Sequence, residues 1–222
     1  MQFTEYIRVY EWTSFTQNNC NTYLIGKTGK VMIDPGHLHL FTNVESGMKS
    51  DGADPARVEL ILATHSHPDH FEGVENFMDR PEVKIALHPE EQQFWEKAGV
   101  EFARMLGMPT PKYRVDLDLV EGELVADGMT LQVFHTPGHS PGHVCLYLPE
   151  EKVLFSGDLI FNQGVGRTDF PGGNGSLLKK SIQRMAELDI ETILSGHGPM
   201  VQGREAVKKN FEFIEQVYFS MI

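Results

Sequence analysis

The sequence predicts a layered α/β domain, and three observations carry that expectation. Short apolar runs recur along the chain, stretches of helical character lie between them, and Gly at 21 and Pro at 12 positions supply many tight loops. Hydrophobic residues at 41% are ordinary for a globular fold and exclude a disordered or fibrous chain. At 222 residues the chain suits one domain spanning 1–222.

The elements follow in order. Strands are expected at 6–10, 22–25 and 31–33, with "GKTGK" between the last two marking a hairpin. A helix at 41–50 leads to a strand at 59–63, and a second helix starts near Phe71. A strand at 83–87 precedes a helix opened by "HPEEQQFW", with Pro and acids in its first turn. The piece 99–112 mixes Phe102, Met105, Leu106 and Met108 with Gly and Pro, and reads as helix and loop packed on the core in preference to a mobile lid. Strands resume at 131–134, 144–148 and 153–155. A helix at 176–188, a strand at 192–194 and a helix from about Arg204 complete the series.

The formal charge of −12, with no Lys/Arg run longer than two, excludes nucleic acid and anionic lipid surfaces as partners. The N-terminus has no basic segment followed by an apolar one, and no run of about 18 apolar residues occurs, so a cytoplasmic protein is expected. Cys20 and Cys145 stand far apart without a CxxC pattern and read as buried free thiols.

Chemistry concentrates in "ATHSHPDHFEGV", where His65, His67, Asp69 and His70 crowd the end of a strand. His65 and His67, two apart on extended chain, point the same way, and Pro68 then turns the chain so that Asp69 and His70 approach from another direction. Four potential ligands so close, packed without a cation, would leave several polar groups unpaired at a partly buried site. "FHTPGHSPGH", "LFSGDLIF" and "ILSGHGP" each present a His or Asp beside Gly at another strand end, giving His139, Asp158 and His197.

Taken together, HxHxDH in "HSHPDH" followed by His139, Asp158 and His197 resembles the metallo-β-lactamase superfamily. Within it, "TPGHSPGH", "SGDLIF" and "GVGRTDFPGGN" look most similar to glyoxalase II-like hydrolases of the small, single-domain type. The resemblance runs from about Asn18 ("NNCNTYLIG") to about Pro199. It implies an αββα sandwich with a dinuclear site at one edge of the two sheets. One metal would be bound by His65, His67 and His139, the second by Asp69, His70 and His197, with Asp158 bridging. Imidazole and carboxylate donors suit zinc first, with iron or manganese as alternatives. Asp34 in "MIDPG" and His143, four after His139, are expected to support the ligands by hydrogen bonding. Arg167 in "GRTDFPGG" is expected to fix an anionic substrate group or buttress the site. His37, His39, His88 and His135 lack such spacing and read as structural or exposed.

Two cations roughly 3.5–4 Å apart can hold a bridging hydroxide, which would attack an ester-like carbonyl while Asp69 and Asp158 orient it. A thiol with a pKa of about 8.5 leaves readily as thiolate, whereas an amine needs a placed acid. Thioester or ester hydrolysis of glyoxalase II type, on S-lactoylglutathione or a related acyl thioester, is therefore expected, by a monomer or homodimer acting on a small molecule. Only 25 residues follow His197 (222 − 197), most of them in the amphipathic "REAVKKNFEFIEQVYFSMI", so no separate C-terminal glutathione-binding helical domain is expected. The rival readings are a persulfide dioxygenase-like enzyme with one iron and a lactonase. The presence of Asp69, His70 and His197 together favours two metals over the first.

Overall fold

The computed structural model describes all residues except 15, 106 and 108–112, and all side chains of the remainder except those of 99, 102 and 103. Two six-stranded sheets are built from consecutive parts of the chain. The first contains β1 (Ile7–Tyr10), β2 (Thr22–Ile25), β3 (Val31–Ile33), β4 (Leu60–Leu62), β5 (Lys84–Leu87) and β6 (Leu117–Asp118) in that spatial order. Its first three strands are antiparallel, and β3 to β6 run parallel. The β2–β3 pairing realises the hairpin expected from "GKTGK".

The second sheet draws on β7 (Gly122–Ala126), β8 (Met129–His135), β9 (Val144–Leu148), β10 (Val153–Gly157), β13 (Thr192–Ser195) and β14 (Val201–Gln202), in the order β14-β13-β10-β9-β8-β7. β11 (Ile160–Phe161) and β12 (Gly164–Val165) form a separate small hairpin.

Alternation along the strands explains the layering. Ile25, Ile33 and Leu62 face inward to meet Val133, Leu146, Phe155 and Leu194 from the other sheet. Their neighbours Leu24, Met32 and Ile61 face outward, onto Phe41, Val44 and Met48 of α1 (Phe41–Ser50). On the far side Cys145, Leu154 and Ile193 face α5 (Gly175–Ala186) and α6 (Arg204–Tyr218), which contribute Leu178, Ile182, Val207 and Ile214. The result is the four-layer αββα sandwich that the resemblance implied.

The remaining helices start where their sequences favour it. α2 (Pro68–Phe71) begins three residues before the expected Phe71, because Pro68 at its first position has the φ a helix needs and His67 is extended (φ −61°, ψ 144°). α3 (Pro89–Phe94) likewise has Pro at its start, and the Nδ1 of His88 accepts the Glu90 N–H at 3.2 Å. A π-helical turn, Trp95–Gly99, joins it to α4 (Val100–Met105), so the first part of the expected helix-and-loop piece is helical. Met105 is exposed and not packed on the core as expected, and the rest of the piece on which core packing or a lid would turn, 106 and 108–112, lies outside the described residues. Among the described residues no helix is long and apolar enough to cross a membrane.

Candidate metal centre

Five strand ends meet at one edge of the sandwich. β3 delivers Asp34, β4 the 64–70 segment, β8 the 136–143 loop, β10 Asp158 and β13 His197. Val144 N–H bonds Thr64 O at 2.9 Å, and Asn21 bonds Gly196 O with its N–H (2.7 Å) and Ser195 O with its side-chain amide (3.0 Å). These contacts tie the two sheets together at that edge.

Three overlapping groups of donors result: His65, His67 and His139; His65, His70 and Asp158; and Asp69, His70 and His197, the donor atoms of each lying within 4.8 Å of one another. Asp158 lies between the two triads. Its Oδ2 is 3.4 Å from His139 Nε2 and 3.5 Å from His197 Nε2, and its Oδ1 is 3.1 Å from His70 Nε2. Asp69 Oδ2 is 3.3 Å from His197 Nε2 and also accepts a bond from the Asn18 amide at 2.6 Å. All seven residues singled out as ligands are thus within one constellation.

The hydrogen-bond partners decide which ring nitrogen carries a proton. His70 Nδ1–H donates to Asp34 Oδ2 (2.9 Å), His139 Nδ1–H to the Arg167 carbonyl (2.8 Å) and His197 Nδ1–H to the Asn19 carbonyl (3.1 Å). Thr64 Oγ1–H donates to Asp34 Oδ2 (2.7 Å), so the Thr64 hydroxyl oxygen accepts His65 Nδ1–H (3.0 Å). Each ring therefore turns Nε2 into the site. His70 and His197 bring their Nε2 atoms to 3.2 Å, and His67 Nδ1 stands 2.8 Å from His139 Nε2. Lone pairs converging this closely need positive charge between them.

Two further atoms fit a cation in the same place. His65 Nε2 and Asp158 Oδ1 are buried without a hydrogen-bond partner, the latter because its approach to His70 lacks hydrogen-bond geometry. Orphaned buried polar atoms are costly unless something outside the chain satisfies them. The donor chemistry, imidazole with carboxylate and no thiolate, suits divalent transition metals.

Charge in the site is unevenly distributed. Burial pushes His65 and His143 well below the usual imidazole range, and burial with His139 beside it takes His67 down to about 3. For His70 and His197 burial opposes charge and is the largest single influence, yet Asp158 leads the groups that outweigh it. His70 rises well above its ordinary value and His197 to about 9. Burial likewise opposes charge on Asp158 and Asp69, but His70 and His197 hold both carboxyls below their ordinary range. The carboxylates draw positive charge into the second triad, whether protons or a metal ion carry it.

The supporting residues anticipated from sequence stand at different depths. Asp34, 1% exposed, accepts bonds from Thr64 N–H, Thr64 Oγ1–H and His70 Nδ1–H, so it orients rings of both triads. It does so from a left-handed backbone (φ 51°), a conformation Asp tolerates better than most residues. His143 accepts the Asp158 N–H on Nε2 (3.1 Å) while its Nδ1 meets Thr136 Oγ1 (2.8 Å), which places it behind Asp158 and away from the donor face. Arg167 reaches the site through its carbonyl only. Its guanidinium forms an exposed two-point pair with Asp169 (2.7 and 2.6 Å) and lies over the Phe170 ring at 3.8 Å.

One central residue escaped sequence reasoning. Glu91 on α3 is fully buried, and its carboxylate accepts Ser66 N–H (3.0 Å), Ser66 Oγ–H (2.8 Å) and Gly142 N–H (2.7 Å). It straps the loop of His65 and His67 to the loop of His139. In the sequence it is one more acid in a first helical turn, and nothing local marks it. Gly196 is equally specific: a Cβ there would collide with Asp158 Oδ1 and approach His70 Cε1 to 2.6 Å.

With this geometry in view, the chain belongs to the metallo-beta-lactamase superfamily, whose model matches residues 15–197. The family's enzymes are hydrolases, and the His/Asp clusters here fit their binding of divalent metal. Among individual proteins, the chain is 31% identical over 201 residues to the hydroxyacylglutathione hydrolase GloC of Haemophilus influenzae Rd, covering 86% of this chain and 90% of that one. It resembles TTHA1623, crystallised in a di-iron-bound form, at 35% identity and a TM-score of 0.70, with 86% and 91% of the two chains covered. It also resembles the BLEG-1 B3 metallo-beta-lactamase at 30% identity and a TM-score of 0.76, with 96% and 99% covered.

Proposed function

We propose that this chain is a two-metal hydrolase of small thioesters or esters, of glyoxalase II type. The observation that carries the reading is Asp158, whose carboxylate lies within reach of both triads at once. His65, His67 and His139 would hold one ion and Asp69, His70 and His197 the other, zinc or iron being the metals best suited. Divalent cations held there supply Lewis acidity and lower the pKa of water toward neutrality.

The chain's own residues do the rest. Asp69 and Asp158, both held ionised, accept hydrogen bonds from a water and aim its lone pair at the substrate carbonyl. Asn18, donating to Asp69, fixes which carboxylate oxygen is free for that task. Neither thiol competes as a nucleophile, because Cys20 and Cys145 are buried and burial pushes both up, Cys145 to about 12. The nearby imidazoles are committed: His143 to Asp158 and Thr136, His139 and His197 to backbone carbonyls. A leaving group that needs no proton, a thiolate above all, is therefore favoured over an amine. Phe170, whose ring meets His67 edge-on at 5.8 Å, forms an apolar rim suited to the acyl part of a small thioester. The identity to a hydroxyacylglutathione hydrolase supports the same class.

The test is metal analysis of the purified protein with a substrate panel of S-lactoylglutathione, other acyl-glutathiones, a lactone, a β-lactam, and glutathione persulfide with oxygen uptake followed. Metal-dependent thioester turnover is expected. One iron per chain with oxygen consumed on the persulfide would establish the dioxygenase alternative instead, and preference for the lactone or β-lactam would reassign the substrate.

A further inference from the structure

A second cluster of metal-ligating side chains lies beside the dinuclear constellation and shares no residue with it. His37, His39 and Glu72 bring one donor atom each to within 4.8 Å of one another. From these residues we infer a third cation site, selective for a zinc-like divalent metal.

The frame is rigid on one side. Gly36 N–H bonds the His70 carbonyl (3.1 Å), and Gly73 N–H bonds the Gly36 carbonyl (2.6 Å), which knits the segment after β3 to the end of α2. The close approach requires glycine at 73, where a Cβ would meet Pro35 Cβ at 2.8 Å. Those two bonds set His37 opposite Glu72, and the ring Nδ1 stands 2.7 Å from Glu72 Oε2. His37 is held further by its N–H to Asn19 Oδ1 (2.7 Å). His39 follows two residues later, across Leu38, with its ring centroid 5.2 Å from that of His37.

Glu72 is 7% exposed, and its only ion-pair partner among the described residues is His37. A carboxylate so buried and facing imidazole nitrogens is a donor group that a divalent cation would satisfy. The 2.7 Å separation is that of a hydrogen bond, yet the dinuclear constellation shows the same closeness between His67 and His139. Two imidazoles and one carboxylate are the donor set of an open zinc site, with a fourth position left to water. Nitrogen donors disfavour calcium and magnesium, which prefer all-oxygen sets. The site should be the weaker one, because His39 is exposed and must be ordered on binding, whereas the other donors are already fixed.

The test loads the full chain with Zn²⁺, removes excess by gel filtration and counts zinc per folded chain for the wild type, H39N, H37N/H39N and E72Q. The wild type is expected to retain one equivalent more than each variant and to surrender that equivalent first to a graded chelator series. Because His39 is exposed, H39N should fold and turn over substrate as the wild type does. If the wild type holds no more zinc than H37N/H39N, the inference is overturned and the cluster is only a hydrogen-bonded His–Glu pair. D158N separates this site from the dinuclear centre. It should lose the centre's metal yet keep the equivalent that H39N removes, so failure of either site shows independently of the other.

Discussion

Glu91→Ala probes how the two ligand-bearing loops are held. The substitution removes an acceptor from two peptide N–H groups and one hydroxyl, all buried. A buried donor left without a partner costs about 1–3 kcal/mol. The Ser66 hydroxyl can rotate, and water can enter the space vacated, so the sum belongs at the lower end, about 3–5 kcal/mol for the three. For a chain of this size 1 kcal/mol corresponds to about 2–4 °C, which places the loss of melting temperature near 10 °C. Glu91→Gln should recover roughly half, since its oxygen can serve Ser66 while its amide faces the Gly142 N–H donor to donor. Denaturant and thermal unfolding of the metal-free chain measure the strap without any contribution from bound metal. Zinc titration of the same variants should show weakened binding at the triad of His65, His67 and His139. An alanine variant within about 1 kcal/mol of the wild type, or one binding metal unchanged, would refute the strap.

Three other outcomes are expected. Asp158→Asn should strip most metal from both triads together with activity, read by elemental analysis and thioester turnover, whereas His143→Phe should weaken metal binding by about 10–100-fold through the loss of its hold on Asp158. Gly196→Ala should cost about 1–3 kcal/mol by overpacking and disturb Asp158 and His70, so metal content should fall while the far-ultraviolet dichroism stays that of the folded chain. Removing metal with a strong chelator should lower the unfolding midpoint reversibly, and restoration of zinc or iron should return it.

Much of this arrangement was legible in the sequence because the ligands are local. His65, His67, Asp69 and His70 fall on one strand end, and Gly beside His139, Asp158 and His197 marks the other ends. Most strands were legible because their apolar runs are buried on both faces, as in β9 and β10. The strands that escaped are short or lie at an edge. β6 and β7 expose most of their residues, including Val125, and β14 has only two residues. Neither kind leaves an apolar run to read. The side chains that support the metal ligands were legible in part. Asp34 ends a strand, but Glu91 meets Ser66 and Gly142 across 25 and 51 residues, and no local pattern records a contact made only by tertiary packing. Arg167 shows the opposite limit: it lies beside the constellation, but its backbone carbonyl faces His139 while the guanidinium turns to Asp169.

The strand order gives the constellation a mechanical meaning. Residues up to Asp118 build one sheet and those from Gly122 the other, so the molecule is two successive halves of chain laid face to face. Each triad takes two ligands from the first half and one from the second, His139 or His197. Any ion held by either triad is thus a rivet through both plates, closing loops of 72 and 127 residues as a disulfide would in a chain whose thiols are both free. Loss of such an ion would then slacken the sandwich at the edge where these side chains are assembled.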